Sequence, residues 1–87
     1  MNNAIRAFLT TLLNQRIIGG KHTPEEKIIK SKTRWLDKQE KKEFNKEYKQ
    51  LINEEIVLKV KKRTGKAYDW HISLNPKKVQ EIIRWLE

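Results

Sequence analysis

The stretch Asp37–Leu74 constrains the fold most, because its apolar residues first recur with helical spacing and then alternate as in a strand. Between residue 38 and about residue 54, winding the chain at about 100° per residue places the apolar side chains on one stripe that must face a core. This stripe comprises Phe44, Tyr48, Leu51 and Ile52. From Ile56 to Leu74, apolar and polar residues alternate around a Thr64-Gly65 turn, a pattern typical of a β-hairpin. The stretch therefore predicts a helix followed by a two-stranded hairpin.

The predicted helix separates its charges onto two flanks of the apolar stripe. The basic flank comprises Lys38, Lys42, Asn45, Lys46 and Lys49, and the acidic flank comprises Glu40, Glu43, Glu47 and Gln50. Like charges four residues apart repel each other by a few tenths of a kcal/mol per pair. The sorting indicates either a solvated face that tolerates this repulsion or a surface with an anionic partner.

The overall charge favours the anionic partner. The 87 residues have room for one domain, residues 1–87, and they contain 20 Lys and Arg against 11 Asp and Glu, a net charge of +9. A basic excess of this size is typical of proteins that bind polyanions. A Lys- and Glu-rich surface that forms ion-pair networks, as in thermophiles, is the competing interpretation, but it explains the excess of positive over negative charge poorly.

The sequence offers little for catalysis. It has no cysteine, two histidines and no glycine-rich phosphate loop, so we expect no metal, no cofactor and no nucleotide hydrolysis. Asp69, His71 and Ser73 supply the residue types of a hydrolytic triad. However, alternate residues on one strand lie about 7 Å apart, which is too far for the hydrogen bonds that a triad requires. We therefore predict that the protein is not an enzyme.

The N-terminal residues 1–20 have an apolar middle, but polar residues interrupt it with helical spacing and no small-residue cleavage site follows. No segment reaches the about 20 mostly apolar residues that cross a bilayer. We expect a cytoplasmic protein that does not bind membranes.

Two further helices are predicted before the central stretch. The first spans Asn3–Gln15, and Gly19-Gly20 is expected to end it, since glycine adopts the left-handed conformation without a side-chain penalty. The second begins at Pro24, with Thr23 as its cap and Glu26 as the capping-box partner.

The same signals recur later in the chain. Asp37 and Glu40 form a capping box for the third helix, and Asn75-Pro76 begins a fourth helix that runs to the end. In the hairpin, alternation places Ile56, Leu58 and Val60 on one face of the first strand and Val57, Lys59 and Lys61 on the other. The second strand is predicted to point Tyr68, Trp70, Ile72 and Leu74 inward and Ala67, Asp69, His71 and Ser73 outward.

The large aromatic residues divide into core and surface. Trp35, Trp70 and Tyr68 are predicted to lie in the core, and the competing interpretation is that they stack on single-stranded bases. Trp85 falls beside the apolar stripe of the last helix, which favours a protein interface. A homodimer through helices 1 and 4 is the corresponding hypothesis.

Three helices, a two-stranded wing with a basic tip and a closing helix resemble the winged helix-turn-helix superfamily of small, especially archaeal, DNA-binding proteins. The resemblance implies a mainly α, α+β fold whose third helix enters the major groove and whose wing contacts the neighbouring backbone. It makes Gln39, Lys42, Asn45, Lys46 and Lys49 candidate contacts of helix 3, and Lys61, Lys62, Arg63, Thr64 and Lys66 candidate contacts of the wing. The link between helices 2 and 3, TRWLD, contains no glycine and is bulkier than the turn usual in that family.

These features together predict a binding protein for duplex DNA that acts in transcription or on the chromosome. Lys77 and Lys78, in the first turn of helix 4, are candidate phosphate contacts, because the helix dipole disfavours cations there unless an anion is near. Two alternatives stay open. One is an RNA-binding or ribosome-associated module, and the other is a protein-interaction module that docks through the acidic flank of helix 3 or through Trp85.

Overall fold

The computed structural model describes residues 2–65 and 67–87, apart from the side chains of Thr64, Ala67 and Tyr68. The helices and strands are α1 (Asn3–Asn14), β1 (Thr23–Pro24), α2 (Glu25–Thr33), α3 (Lys38–Asn53), β2 (Val57–Thr64), β3 (Ala67–Leu74) and α4 (Val79–Leu86), and a 3-10 turn (Pro76–Lys78) precedes α4. The fold is a small α+β arrangement, mainly helical, as the sequence predicted.

The sheet is antiparallel, with β3 between β1 and β2. The hairpin register runs from Val57 opposite Leu74 to Thr64 opposite Ala67, and Gly65, with φ +62°, lies in the turn. The short strand β1 was not predicted. Thr23 was expected to cap α2, but Thr23 pairs with Ile72 in the sheet. The capping prediction is wrong, because α2 begins after Pro24 and makes no side-chain capping bond.

The core forms where α1, α2 and α3 pack on the β2–β3 hairpin, and α4 packs on α1. Buried residues come from every large element: Ile5, Phe8, Leu9, Leu12, Ile17, Ile28, Phe44, Leu51, Ile56, Val57, Ile72, Leu74 and Ile82. The predicted stripe of α3 is confirmed, since Phe44 and Leu51 are buried and Tyr48 and Ile52 pack against the core. The ring of Phe8 contacts Phe44 edge-on at 5.8 Å and Tyr48 at 5.6 Å between centroids.

The predicted alternation of the two hairpin faces is confirmed, and the register shows which face of β2 points inward. Cross-strand neighbours share a face, so Val57, 1% exposed and opposite Leu74, lies on the inward side. Leu58 and Val60 therefore lie on the opposite side, and Val60 is 40% exposed. On β3, Ile72 and Leu74 point inward as predicted, and Ser73 lies on the opposite face as predicted. Ser73 is nevertheless buried, and its hydroxyl bonds the Gly19 carbonyl. The predicted inward position of Tyr68 concerns a side chain outside the described residues.

The ends of α1 and α3 share one geometry. After α1, Arg16 has φ 54°, its N–H donates to the Leu13 carbonyl at 3.0 Å, and the Ile17 N–H donates to the Leu12 carbonyl at 2.9 Å. These two bonds define a Schellman motif, in which the left-handed residue is usually glycine. The prediction that Gly19-Gly20 ends α1 is wrong. Gly19 instead has φ +62° against Pro76, where a Cβ atom would lie 3.1 Å from the proline Cγ.

After α3, Glu55 occupies the left-handed position with φ 59°, and the Ile56 N–H donates to the Leu51 carbonyl at 2.9 Å. At the start of α3 the predicted capping box is confirmed. The Glu40 N–H donates to Asp37 Oδ1 at 2.8 Å, and the Asp37 N–H donates to Glu40 Oε1 at 3.2 Å.

The helix that starts at Asn75-Pro76 is confirmed with one detail changed. The Lys77 N–H donates to Asn75 Oδ1 at 3.0 Å, so Asn75 acts as the predicted cap. The first turn, Pro76–Lys78, is a 3-10 turn, and the α-helical part begins at Val79.

We expect the substitution Glu55→Gly to stabilise the protein. A non-glycine residue in the left-handed region costs about 1 to 2 kcal/mol, and the extra backbone entropy of glycine costs about 0.5 to 1 kcal/mol. The free energy of unfolding, measured by urea denaturation, should therefore rise by about 0.5 to 1 kcal/mol. Lys41→Gly, at an exposed position inside α3, is the control and should lower it by about 1 kcal/mol. Equal destabilisation by both substitutions would contradict the left-handed conformation at residue 55.

Candidate nucleic-acid interface

The basic flank of α3 lies on the surface. Every candidate residue of the helix is exposed: Gln39, Lys42, Asn45, Lys46 and Lys49. Across residues 2–65 and 67–87, no carboxylate oxygen comes within the 4.0 Å of an ion pair from the side-chain nitrogen of Lys42 or Lys46. The positive charge of this flank is therefore not neutralised within the described part of the chain.

The acidic flank of α3 contributes to the fold. Glu47 Oε2 accepts a hydrogen bond of 3.3 Å from the N–H of Asn2, the residue that caps α1 through the Ile5 N–H. A carboxylate at the beginning of a helix is favoured by the helix dipole. The position of Glu47 on the acidic flank is thus explained by its bond to the start of α1. This bond does not explain why the lysines lie together on the other flank.

A groove of about 830 Å³ separates α2 from α3 and reaches the base of β2. Lys59 on β2 and Lys49 and Asn45 on α3 line it together. The groove therefore joins part of the basic flank of α3 to the first lysine of the hairpin. It also contains Glu25 and Glu26 of α2, so its surface has mixed charge.

Three side chains at this groove connect three elements. The Lys59 ammonium lies 3.1 Å from Glu25 Oε2, and the Tyr48 hydroxyl donates a hydrogen bond to the same oxygen. Burial raises the pKa of Tyr48 well above its usual value, and the hydrogen bond and negative charge of Glu25 act in the same direction. The Glu25 carboxylate of α2 thus binds one side chain from α3 and one from β2. These two contacts position Lys59 beside α3.

The cations of the wing lie on both faces of the hairpin. Lys61 faces Trp70 across the hairpin and Lys62 faces Asp69, so successive side chains point to opposite sides. Lys61, Lys62 and Arg63 are exposed, and Arg63 Nε donates to the Gly65 carbonyl at 3.3 Å. The candidate contacts at Lys66 and at the Thr64 side chain lie outside the described residues.

Two tryptophans that were predicted to lie in the core are on the surface. Trp35 is 80% exposed, with the Arg34 guanidinium 4.7 Å from its ring centroid. Trp70 is 45% exposed, with the Lys59 and Lys61 ammonium groups at 4.8 and 5.5 Å. The core prediction is wrong for both. Trp35 lies in the link after α2, and Trp70 lies on the inward side of the hairpin but beyond the helices that cover Ile72 and Leu74.

Trp85 on α4 is 38% exposed. The Arg6 guanidinium donates to the Trp85 carbonyl at 3.0 Å and to the Leu86 carbonyl at 2.9 Å, which joins α1 to the end of α4. Cations are favoured at this end of a helix. The bonds explain how the last turn of α4 is held, and the homodimer through helices 1 and 4 stays a prediction.

The remaining candidate residues are scattered. Lys77 is exposed and Lys78 is half-buried in the 3-10 turn, and their proposed phosphate contacts stay a prediction. The Ser73 hydroxyl donates to the Gly19 carbonyl at 2.9 Å, so it is engaged in the fold. Neither ring nitrogen of His71 has a hydrogen-bond partner among the described residues, and the ring packs edge-on against His22 at 5.9 Å between centroids.

Comparison of the chain with protein families, with curated proteins and with solved structures finds no match in any of the three. The fold and the site must therefore be interpreted from the chain itself. Within the described residues, no helix has the combined length and apolar character that crossing a bilayer requires.

We expect Tyr48→Phe to lower the free energy of unfolding at pH 7 by about 1 to 2 kcal/mol, because a hydrogen bond to a half-buried carboxylate is lost. The pKa of Tyr48 is higher in the folded protein than its ordinary 10.0, so the unfolded chain ionises first and the folded state loses stability as the pH rises above 10. The difference between parent and variant should therefore shrink between pH 10 and 12. Lys59→Gln is the control, since it removes the ion pair but keeps the alkaline loss. If the difference in free energy of unfolding between the parent and Tyr48→Phe did not change with pH, the raised pKa of Tyr48 would be contradicted.

Proposed function

We propose that this chain is a winged-helix protein that binds nucleic acid, duplex DNA foremost, through the basic flank of α3 and the β2–β3 hairpin. The observation that carries the proposal is the exposed row of α3 lysines without carboxylate partners among the described residues. Lys49 of this row also lines the groove that Lys59 of β2 reaches, although Lys59 itself pairs with Glu25. Phosphate neutralisation would supply most of the affinity. A role in transcription or on the chromosome is the biological setting that this chemistry fits.

The order of elements supports the proposal. Three helices precede the hairpin and one helix follows it, which is the arrangement on which the winged-helix resemblance rests. The 16 residues of α3 give a helix about 24 Å long, and a B-DNA major groove about 12 Å wide admits an α-helix. The hairpin extends beyond the core beside α3, where it can contact the neighbouring backbone.

The residue types on α3 suggest a division of roles. Gln39 and Asn45 carry amides that can bond an adenine edge with two hydrogen bonds, whereas Lys42, Lys46 and Lys49 suit phosphates or guanine. Phosphate contacts set the position of the protein on the duplex, and base contacts would provide whatever sequence preference exists. RNA binding is the alternative, and the same surface would then contact backbone and loops, because the major groove of A-form RNA is too narrow for α3.

The double substitution Lys42→Ala and Lys46→Ala tests the role of α3. We expect duplex affinity at low salt to fall about 10-fold or more, while the melting temperature is unchanged or slightly raised, since repulsion between neighbouring lysines is relieved. The charge-matched control is Lys21→Ala with Arg84→Ala, at exposed positions outside both proposed contact sets, and it should lower affinity much less. Equal losses in the two double variants would refute a specific role for α3 and leave only net charge.

The wing is tested by replacing Lys61, Lys62, Arg63 and Lys66 with Gln and measuring duplex affinity against salt concentration. Each phosphate contact contributes about 0.9 to the slope of log affinity against log salt, so the slope should fall by about 3 to 4 if all four residues contact phosphates. A fall of about 2 would mean that one face of the hairpin lies on the backbone. An unchanged slope on duplex DNA, duplex RNA and single strands would exclude the hairpin from the interface.

A further inference from the structure

Trp70 occupies a position for which the fold alone gives no reason. It precedes Ile72 and Leu74 on the same, inward face of β3, but those two side chains are 0% exposed and Trp70 is 45% exposed. Exposed single apolar residues are common on proteins, but an indole is among the largest apolar groups a surface can carry. Its backbone lies in the hairpin ladder, where Trp70 pairs with Lys61 of β2, and β1 pairs with β3 at the next two residues, His71 and Ile72.

Two cations accompany the indole. The ammonium groups of Lys59 and Lys61 lie 4.8 and 5.5 Å from its ring centroid, within the range of cation–π attraction. A nucleotide that stacks on this ring would bring its phosphate near these ammonium groups. Lys59 also remains tied to Glu25, so its position does not depend on the indole alone.

A depression of about 420 Å³ adjoins Trp70 between α2 and the hairpin. This volume falls in the range of small-molecule sites, about 300 to 1,000 Å³. Lys27 and Lys30 line it, and so do the carboxylates of Glu25, Glu26 and Asp69. Carboxylates repel phosphate but accept hydrogen bonds from the amino groups of bases, so a base suits the depression better than a phosphate does.

We propose that Trp70 stacks on an unpaired base of the bound nucleic acid, with that base in the depression and its phosphates beside Lys59 and Lys61. This inference rests on the proposed function and specifies the ligand further, as a duplex that carries a single-stranded segment. A paired base offers only its edges to a protein, whereas stacking requires a free face. The ligand must therefore include an unpaired nucleotide at an overhang or in a loop.

The test compares three DNA ligands with the same duplex sequence: a blunt duplex, a duplex with a six-nucleotide dA overhang, and one with a six-nucleotide dT overhang. The parent protein should bind the dA overhang about 10-fold more tightly than the blunt duplex, with dT in between, because thymine stacks but has no amino group. Trp70→Leu should remove this preference and leave the affinity for the blunt duplex unchanged. Trp70→Phe should retain part of it.

Trp35→Leu is the matched control, because Trp35 is also exposed beside a cation but adjoins no part of this depression. It should keep the full preference. In the double variant Trp35→Phe and Trp85→Phe, Trp70 is the remaining tryptophan, and its fluorescence should be quenched by the overhang ligands and not by the blunt duplex. Thermal melting of each variant confirms that it is folded.

The outcomes separate this inference from the proposed function. Salt-dependent binding of the blunt duplex without any gain from an overhang, or a gain that survives in Trp70→Leu, overturns the stacking role and leaves the proposed function standing. Loss of the preference in Trp35→Leu instead of Trp70→Leu assigns the stacking elsewhere and also overturns it. Absence of binding to all three ligands at low salt overturns both proposals.

Discussion

The strand β3 is the element on which the other parts of the structure depend. It pairs with β2 along its whole length and with the short β1 on its other edge. At its end, the Leu74 N–H donates to the Ile17 carbonyl and the Leu74 carbonyl accepts from the Gly19 N–H, both at 2.9 Å. These bonds tie the segment after α1 and the hairpin to one strand, and α1 and α2 both contact β3, so β3 positions these two helices on the sheet. A weakened β3 would therefore change the helix packing as well as the hairpin.

The geometry of the candidate interface depends on a second and more local constraint. Glu25 receives the Tyr48 hydroxyl and the Lys59 ammonium on one oxygen, so a single carboxylate of α2 links α3 to β2. Half-buried groups of this kind hold a defined arrangement because an unpaired partner would pay a desolvation cost. This link fixes Lys59 relative to α3, so the backbones that carry the α3 lysines and the hairpin lysines keep a defined spacing. The proposed contact with a rigid duplex would require such a spacing.

The sequence predicted the features that arise from local patterns. The stripe of α3, its Asp37 and Glu40 capping box and the Asn75 cap each depend on residues within one or two turns of each other. The strand β1 could not be predicted in this way, because two residues have no periodicity and Thr23 is recruited by its pairing with Ile72. Burial of Trp35 and Trp70 was wrongly predicted because apolar residues tend to lie inside, but nothing in their local spacing shows whether another element covers them. The left-handed conformations of Arg16 and Glu55 were not predicted, because the sequence shows glycine at neither position. The burial of the next residues, Ile17 and Ile56, offsets the conformational cost.

The two flanks of α3 differ in how their charges affect the stability of the fold. Glu47 bonds the capped start of α1, so the acidic flank contributes to stability without a ligand. The lysines of the basic flank repel one another, and with a net charge of +9 the whole chain adds to that repulsion at low ionic strength. A polyanion that binds only the folded state reverses this cost, since its binding free energy adds to the free energy of unfolding. Added salt weakens both effects, by screening the lysines in the free protein and by reducing the gain from counterion release in the complex. Proposed binding and fold stability are therefore linked through the same lysines, and the link is strongest where salt is lowest.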